Sequence, residues 1–128
     1  MFIEKYIFND NEKAKMLVAR QKSKELEFFY NNIYKYTEES YNLYIKTLEE
    51  QKESFRELQD NNSDCFNEKV LEILEDCLEH FVHAFFKAFK IKTTKTVTDY
   101  FIRLFKTQFF IRFENSYMDK TKEILKKA

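Results

Sequence analysis

From residue 16 to residue 58 a core-compatible position recurs every three or four residues: Met16, Ala19, Ser23, Leu26, Tyr30, Ile33, Thr37, Tyr41, Tyr44, Leu48, Gln51, Phe55 and Leu58. The gaps alternate between 3 and 4, with one stutter at Thr37–Tyr41. A near-heptad seam of this kind predicts a long helix over roughly 11–60 with coiled-coil-like packing. Phe28, Phe29, Tyr34 and Tyr36 widen its apolar face. A second seam, Leu71, Leu74, Leu78, Phe81, Phe85 and Ala88, predicts a helix over roughly 64–91. A third helix over roughly 96–127 carries two stripes. One holds Val97, Phe101, Leu104, Gln108 and Ile111, the other Ile102, Phe105, Phe109 and Phe113. Phe110 falls on the side that should be wet, so this helix needs cover on nearly every side.

Polar breaks separate these runs. Asn9-Asp10-Asn11 precedes the first, and Asn9 with Glu12 resembles a capping box. Asp60–Asp64 offers Ser63 or Asp64 as the next cap. Thr93–Thr96 follows, with Thr96 and Asp99 as a further box, and Asn115-Ser116 is a weaker break. Residues 1–8 are expected to form a short arm. The chain contains no glycine and no proline, the residues that usually supply tight turns and helix stops. The expected fold is therefore all-α: a single domain forming an elongated antiparallel three-helix bundle. A kink near Asn31-Asn32 would instead give a four-helix bundle.

Composition adds a class and an environment. With 128 residues, 44% hydrophobic and 18% aromatic, the chain can build a core and is not of disordered composition. Abundant Phe, Tyr, Lys, Asn and Ile without Trp, Gly or Pro indicate an AT-rich genome. The N-terminus lacks the pattern of a secretory signal, and no apolar run reaches the roughly 18 residues of a spanning helix. Cys65 and Cys77, on one helix, would lie about 18 Å apart, too far for a disulfide. A cytoplasmic setting is expected.

Charge is sorted along the chain. Residues 1–47 carry net +1, residues 48–80 net −8 and residues 81–128 net +7. Part of this is helix chemistry, since acids early and bases late in a helix complement its dipole. The acidic segment also offers a candidate partner-binding patch: Glu49, Glu50, Glu53, Glu57 and Glu72. Arginine is scarce and no base-reading motif is present, so nucleic acid is not an expected partner. Nor is a membrane, because 97–113 has no cleanly split face.

One cluster has metal-ligand chemistry. Asp76, Glu79, His80 and His83 fall near one face of the second helix, the donor types zinc or iron would take. The bundle-type di-iron pattern needs Glu-x-x-His, which this chain lacks. No cofactor is expected. A glycine-rich phosphate loop is impossible here, and no nucleophile motif is present. The expected function is therefore non-enzymatic: a small regulator, inhibitor or adaptor contacting another protein through aromatic and charge-segregated helical surfaces. The alternative is a metal- or ligand-binding bundle on the His/carboxylate face.

Helix lengths add a homodimer. A helix over 11–60 would measure roughly 75 Å, well beyond the other two, so one end should project. Leu26, Phe28, Phe29, Tyr30, Ile33, Gln108 and Phe110 are then candidate self-association positions.

Overall fold

The computed structural model describes residues 2–61, 63–114 and 116–126; at 2–11, 63 and 64 it describes the backbone alone. Among the described residues the protein is all-α, with seven helices and no strand. These are α1 (Phe2–Gln21), α2 (Lys24–Asn31), α3 (Ile33–Glu50), α4 (Lys52–Asn61), α5 (Ser63–Ala88), α6 (Lys95–Phe113) and α7 (Ser116–Lys126).

The helix count corrects the expected three- or four-helix architecture. The run expected as one helix over 11–60 is divided three times, for identifiable reasons. At the first break Lys22 adopts φ 51°, and the Ser23 Oγ accepts the Leu26 amide at 3.2 Å, capping α2. The chain reverses here, so Lys15 and Ala19 of α1 share a cleft with Tyr30, Asn31 and Glu27 of α2. At the second break the Asn32 carboxamide takes the Phe28 carbonyl at 2.9 Å, a side-chain competitor for the helical ladder. The ladder nevertheless bridges that residue: the Asn32 amide donates to Phe28 and the Tyr36 amide to Asn32, both at 3.1 Å. Gln51 is bridged likewise, through Thr47 at 3.0 Å and Phe55 at 3.2 Å. So α2, α3 and α4 follow one path bent at Asn32 and Gln51, and the reversal lies at Lys22-Ser23, not at Asn31-Asn32.

Other boundaries shift as well. No arm ends at residue 8, because α1 continues through Asn9–Asn11; the capping side chains expected at Asn9 and at Ser63 or Asp64 lie outside the described residues. α5 stops at Ala88 in a Schellman closure. The Ile91 amide donates to Phe86 at 2.8 Å, the Lys90 amide donates to Lys87 at 3.2 Å, and Lys90 takes φ 55°. The cap of α6 is Thr94, not Thr96: its Oγ1 accepts the Val97 amide at 3.3 Å. The third expected helix divides at Glu114, where φ is 45° and the amide donates to Phe110.

Aromatic contacts fix the packing directions. Phe81 stacks on Phe105 at 5.5 Å and Phe86 meets Phe101 at 6.4 Å, so α5 and α6 run antiparallel. Phe29 meets Phe105 at 6.0 Å, Tyr41 meets Phe109 at 5.9 Å, and Arg56 Nε donates to the Leu125 carbonyl at 2.9 Å. The path α2–α4 therefore runs parallel to α6–α7, with α5 as the return stroke. α1 lies against α6, with Lys13 5.2 Å from the Tyr100 ring centroid. The core centres on Leu26, Phe29, Tyr44, Leu48, Leu78, Phe101, Phe105 and Phe109, all fully buried. Each such side chain contributes about 1.5–3 kcal/mol by leaving water. The seam places Leu26, Thr37, Tyr44, Leu48 and Phe55 inside, but Met16, Ala19 and Gln51 outside. The first two precede the reversal and the third sits at a bend, so all three have lost register.

Candidate functional site

A partly exposed aromatic strip runs along α2, α3 and α5. Phe28 is 54% exposed and packs on Tyr36 with centroids 6.5 Å apart. Tyr36 packs on Phe85 at 4.8 Å, and Phe85 stacks on Phe89 at 4.4 Å; Phe89 is 51% exposed. Half-buried Phe81 joins Tyr36 at 6.0 Å. The strip therefore has a floor of Tyr36 and Phe85 and two rims open to water. Leu43, 42% exposed, extends it along α3, because Tyr36, Glu39, Leu43 and Glu50 share one helix face at 100° per residue. Sequence reasoning placed Tyr36 and Phe85 in the apolar faces but missed Leu43 and the open rim at Phe89. The signal available was that these positions flank the seams instead of lying on them.

At the far end of α3 from Tyr36, Glu49, Glu50, Glu53 and Glu57 are all exposed on α3 and α4, around the bend at Gln51. Glu53 holds Arg56 at 3.1 Å, and Arg56 is also tied to Leu125. Glu72 is exposed on α5 and pairs with Lys69 at 3.6 Å; no described contact joins it to the other four.

The expected self-association positions divide. Leu26 and Phe29 are fully buried within one chain, Phe29 among Tyr36, Phe85, Phe86 and Phe105 of α3, α5 and α6, so neither is available to a second copy. Tyr30, Ile33, Gln108 and Phe110 are half-buried, leaving Phe28 as the exposed member. Because α1 folds back, no 75 Å helix projects, and the length argument for a dimer falls with it.

The His/carboxylate face does not assemble. Asp76, His80 and His83 are exposed, and Glu79 is occupied by Lys106 at 3.3 Å. Among the described residues, no three His, Cys, Asp or Glu side chains gather as a metal site requires. Cys65 and Cys77 are free and half-buried; burial first, then the neighbouring Asp76 charge, pushes the Cys77 thiol pKa up, away from the reactive thiolate. Two clefts of about 380 Å3 flank α1, one against α2 and one against α6. The hydroxyl of Ser23 in the first is engaged as the α2 cap.

Two groups of buried polar side chains are present among the described residues: Ser40 and Thr37, whose hydroxyls donate to the Thr37 and Tyr34 carbonyls at 2.8 and 2.6 Å, and a relay at Thr121. The Thr121 hydroxyl donates to the Tyr117 carbonyl at 2.6 Å, so its single proton is committed. The Tyr44 hydroxyl, 2.8 Å from Thr121 Oγ1, is therefore the donor of that bond. Burial pushes the Tyr44 phenol up to about 12, with the Thr121 contact acting in the other direction. This relay joins α3 to α7, and its Tyr117 also lines a cleft with Leu71, Glu75 and Phe110. Arg112 makes a second tie. Its guanidinium lies 3.7 Å from the Tyr34 ring centroid and bonds the Tyr34 carbonyl at 2.6 Å and Glu38 at 3.2 Å.

Comparison of the chain with protein-family models, with curated proteins and with solved structures gives no match. Among the described residues no helix is long and apolar enough to cross a membrane.

Proposed function

We propose that this protein is a non-enzymatic helical interaction module, a small regulator or adaptor that docks on a basic surface of another protein. The observation that carries the reading is the α3–α4 bend. Four carboxylates stand in solvent within nine positions, and the arginine among them, Arg56, is held by Glu53 and Leu125. The neighbouring Leu43 supplies exposed apolar surface on the same helix, so charge and apolar contact are offered together. Opposite charge of this density raises association rates and penalises acidic competitors.

The test is capture of partners from native lysate by the tagged chain, beside a variant carrying Glu49→Lys, Glu50→Lys, Glu53→Lys and Glu57→Lys. The expected result is a basic partner that the variant loses and that wild type releases between 0.1 and 1 M salt, as the Debye length falls from about 10 to 3 Å. A partner retained equally by both chains and indifferent to salt would refute the reading.

A further inference from the structure

Gln108 interrupts an apolar stripe of α6, and its half-buried carboxamide has no hydrogen-bond partner among the described residues. It lines a cleft of about 300 Å3 with Lys15, Tyr30, Asn31 and Ile33, where α1, α2, α3 and α6 meet. That cleft shares Lys15, Tyr30 and Asn31 with the cleft of about 380 Å3 between α1 and α2, so the two adjoin as one trough. The end away from Gln108 is basic. Lys15, Lys22 and Lys24 line it, all exposed, and none of them is in an ion pair among the described residues. They belong to a stretch, residues 13–24, that holds five Lys/Arg and no Asp/Glu. Exposed Glu27 also lines this end, and Glu12 acts on the Tyr30 phenol, so the basic groups outnumber the acids around the trough. A cleft lined by an excess of one charge concentrates ligands of the other.

We propose that the trough binds a nucleotide, with its phosphates on Lys15, Lys22 and Lys24 and its base beside Tyr30, Asn31 and Gln108. Three lysines around one cleft suit the several charges of a phosphate chain better than a lone carboxylate. A carboxamide offers a donor and an acceptor side by side, the pattern that pairs with the edge of a base. Asn31 and Gln108 supply two such groups, and Tyr30 supplies aromatic surface between them and the lysines. The volumes are those of small-molecule sites. Inorganic phosphate would use the lysines alone, and an apolar ligand would use neither the lysines nor the carboxamides. A nucleotide uses both ends of the trough. The acidic bend lies at the other end of the α2–α3 path, so this inference does not depend on the interaction reading.

The test is isothermal titration calorimetry of the full chain with ATP, GTP, CTP and UTP, beside tripolyphosphate as an anion that carries no base. At least one nucleotide should bind at one site per chain, more tightly than tripolyphosphate. Gln108→Leu, which completes the apolar stripe, should weaken that nucleotide about tenfold and leave tripolyphosphate unchanged. Lys15→Gln, Lys22→Asn and Lys24→Gln together should weaken both ligands about tenfold or more. Asparagine is chosen at position 22 because it tolerates the positive φ there. Circular dichroism matching the unmodified chain checks that each variant folds. No binding of any of these nucleotides at about 1 mM would overturn the proposal, and that result needs no variant. So would equal affinity for nucleotide and tripolyphosphate, or a nucleotide indifferent to Gln108→Leu and to the lysine substitutions.

Discussion

Replacing Tyr44 by Phe removes one oxygen from the core and leaves the ring in place. At pH 8 the Thr121 hydroxyl keeps its donation to Tyr117 but loses the bond it accepted at 2.8 Å. A net loss of about 1 kcal/mol is expected. The same oxygen makes wild type sensitive to alkali. The folded phenol ionises at about 12 and an unburied one near 10. Its contribution is thus fully present below pH 10 and is lost as pH rises through 12, at up to about 1.4 kcal/mol per pH unit. The phenylalanine variant has no such loss. The gap between the two proteins should therefore narrow, from about 1 kcal/mol at pH 8 to about 0.2 kcal/mol at pH 10.5. Tyr30 and Tyr36, raised chiefly by burial, are present in both proteins and cancel in the comparison, while Tyr41 and Tyr117, whose charges act on Tyr44, add a smaller contribution. Urea unfolding followed by far-ultraviolet circular dichroism at the two pH values measures the gap. A gap that stays constant would refute the assignment of a buried, bonded phenol at this position.

Three further outcomes follow from the packing. Phe29→Ala should cost about 3–5 kcal/mol, whereas Met16→Ala should stay within about 0.5 kcal/mol, and equal losses in urea melts would contradict the register change at Lys22. Lys90→Gly should raise the urea midpoint by the equivalent of about 1 kcal/mol, because the native φ of 55° suits glycine; a lower midpoint would contradict the Schellman closure. Arg112→Ala should cost about 1.5–3 kcal/mol through its bonds to Glu38 and the Tyr34 carbonyl, and a silent substitution would mean that this tie does not hold α6 to α3.

The all-α class was legible because glycine and proline are absent and the apolar spacing is helical throughout. The middle of the seam was legible too: Leu26, Tyr44, Leu48 and Phe55 are buried as their spacing requires. The breaks inside the first expected helix were not, although the ends near 60–64 and 91–96 were. Lys22, Lys90 and Glu114 turn the chain at positive φ without a glycine to mark the place; polar breaks at Thr93–Thr96 and Asn115-Ser116 flag the second and third stops, but nothing in the composition flags Lys22. Asn32 and Gln51 interrupt helices while their ladders continue, which leaves no periodic trace. A projecting first helix would leave Leu26 and Phe29 to a second copy, but both are buried within the chain, Phe29 against Tyr36, Phe85, Phe86 and Phe105, contacts between distant segments that periodicity does not reveal. For the site, the run of Glu49, Glu50, Glu53 and Glu57 is visible in the sequence, but the bend at Gln51 between them is not, and Glu72 lies on another helix, α5. The aromatic strip is not visible there either, since it forms where Phe28 and Tyr36 meet Phe85 and Phe89 from another helix.

The parallel course of α2–α4 and α6–α7 has a consequence for the order in which the molecule assembles. Parallel neighbours cannot be joined by a short loop, and the bonds Arg56–Leu125 and Tyr44–Thr121 close separations of 69 and 77 residues. The α5–α6 hairpin closes its Phe86–Phe101 contact across the Schellman turn and the Thr94 cap. Loop-closure entropy therefore favours that hairpin as the nucleus, with the long-separation bonds forming after the transition state. Phe101→Leu should mainly slow refolding, whereas Thr121→Val should mainly speed unfolding, so the chain's lifetime against unfolding is set at its α3–α7 and α4–α7 contacts.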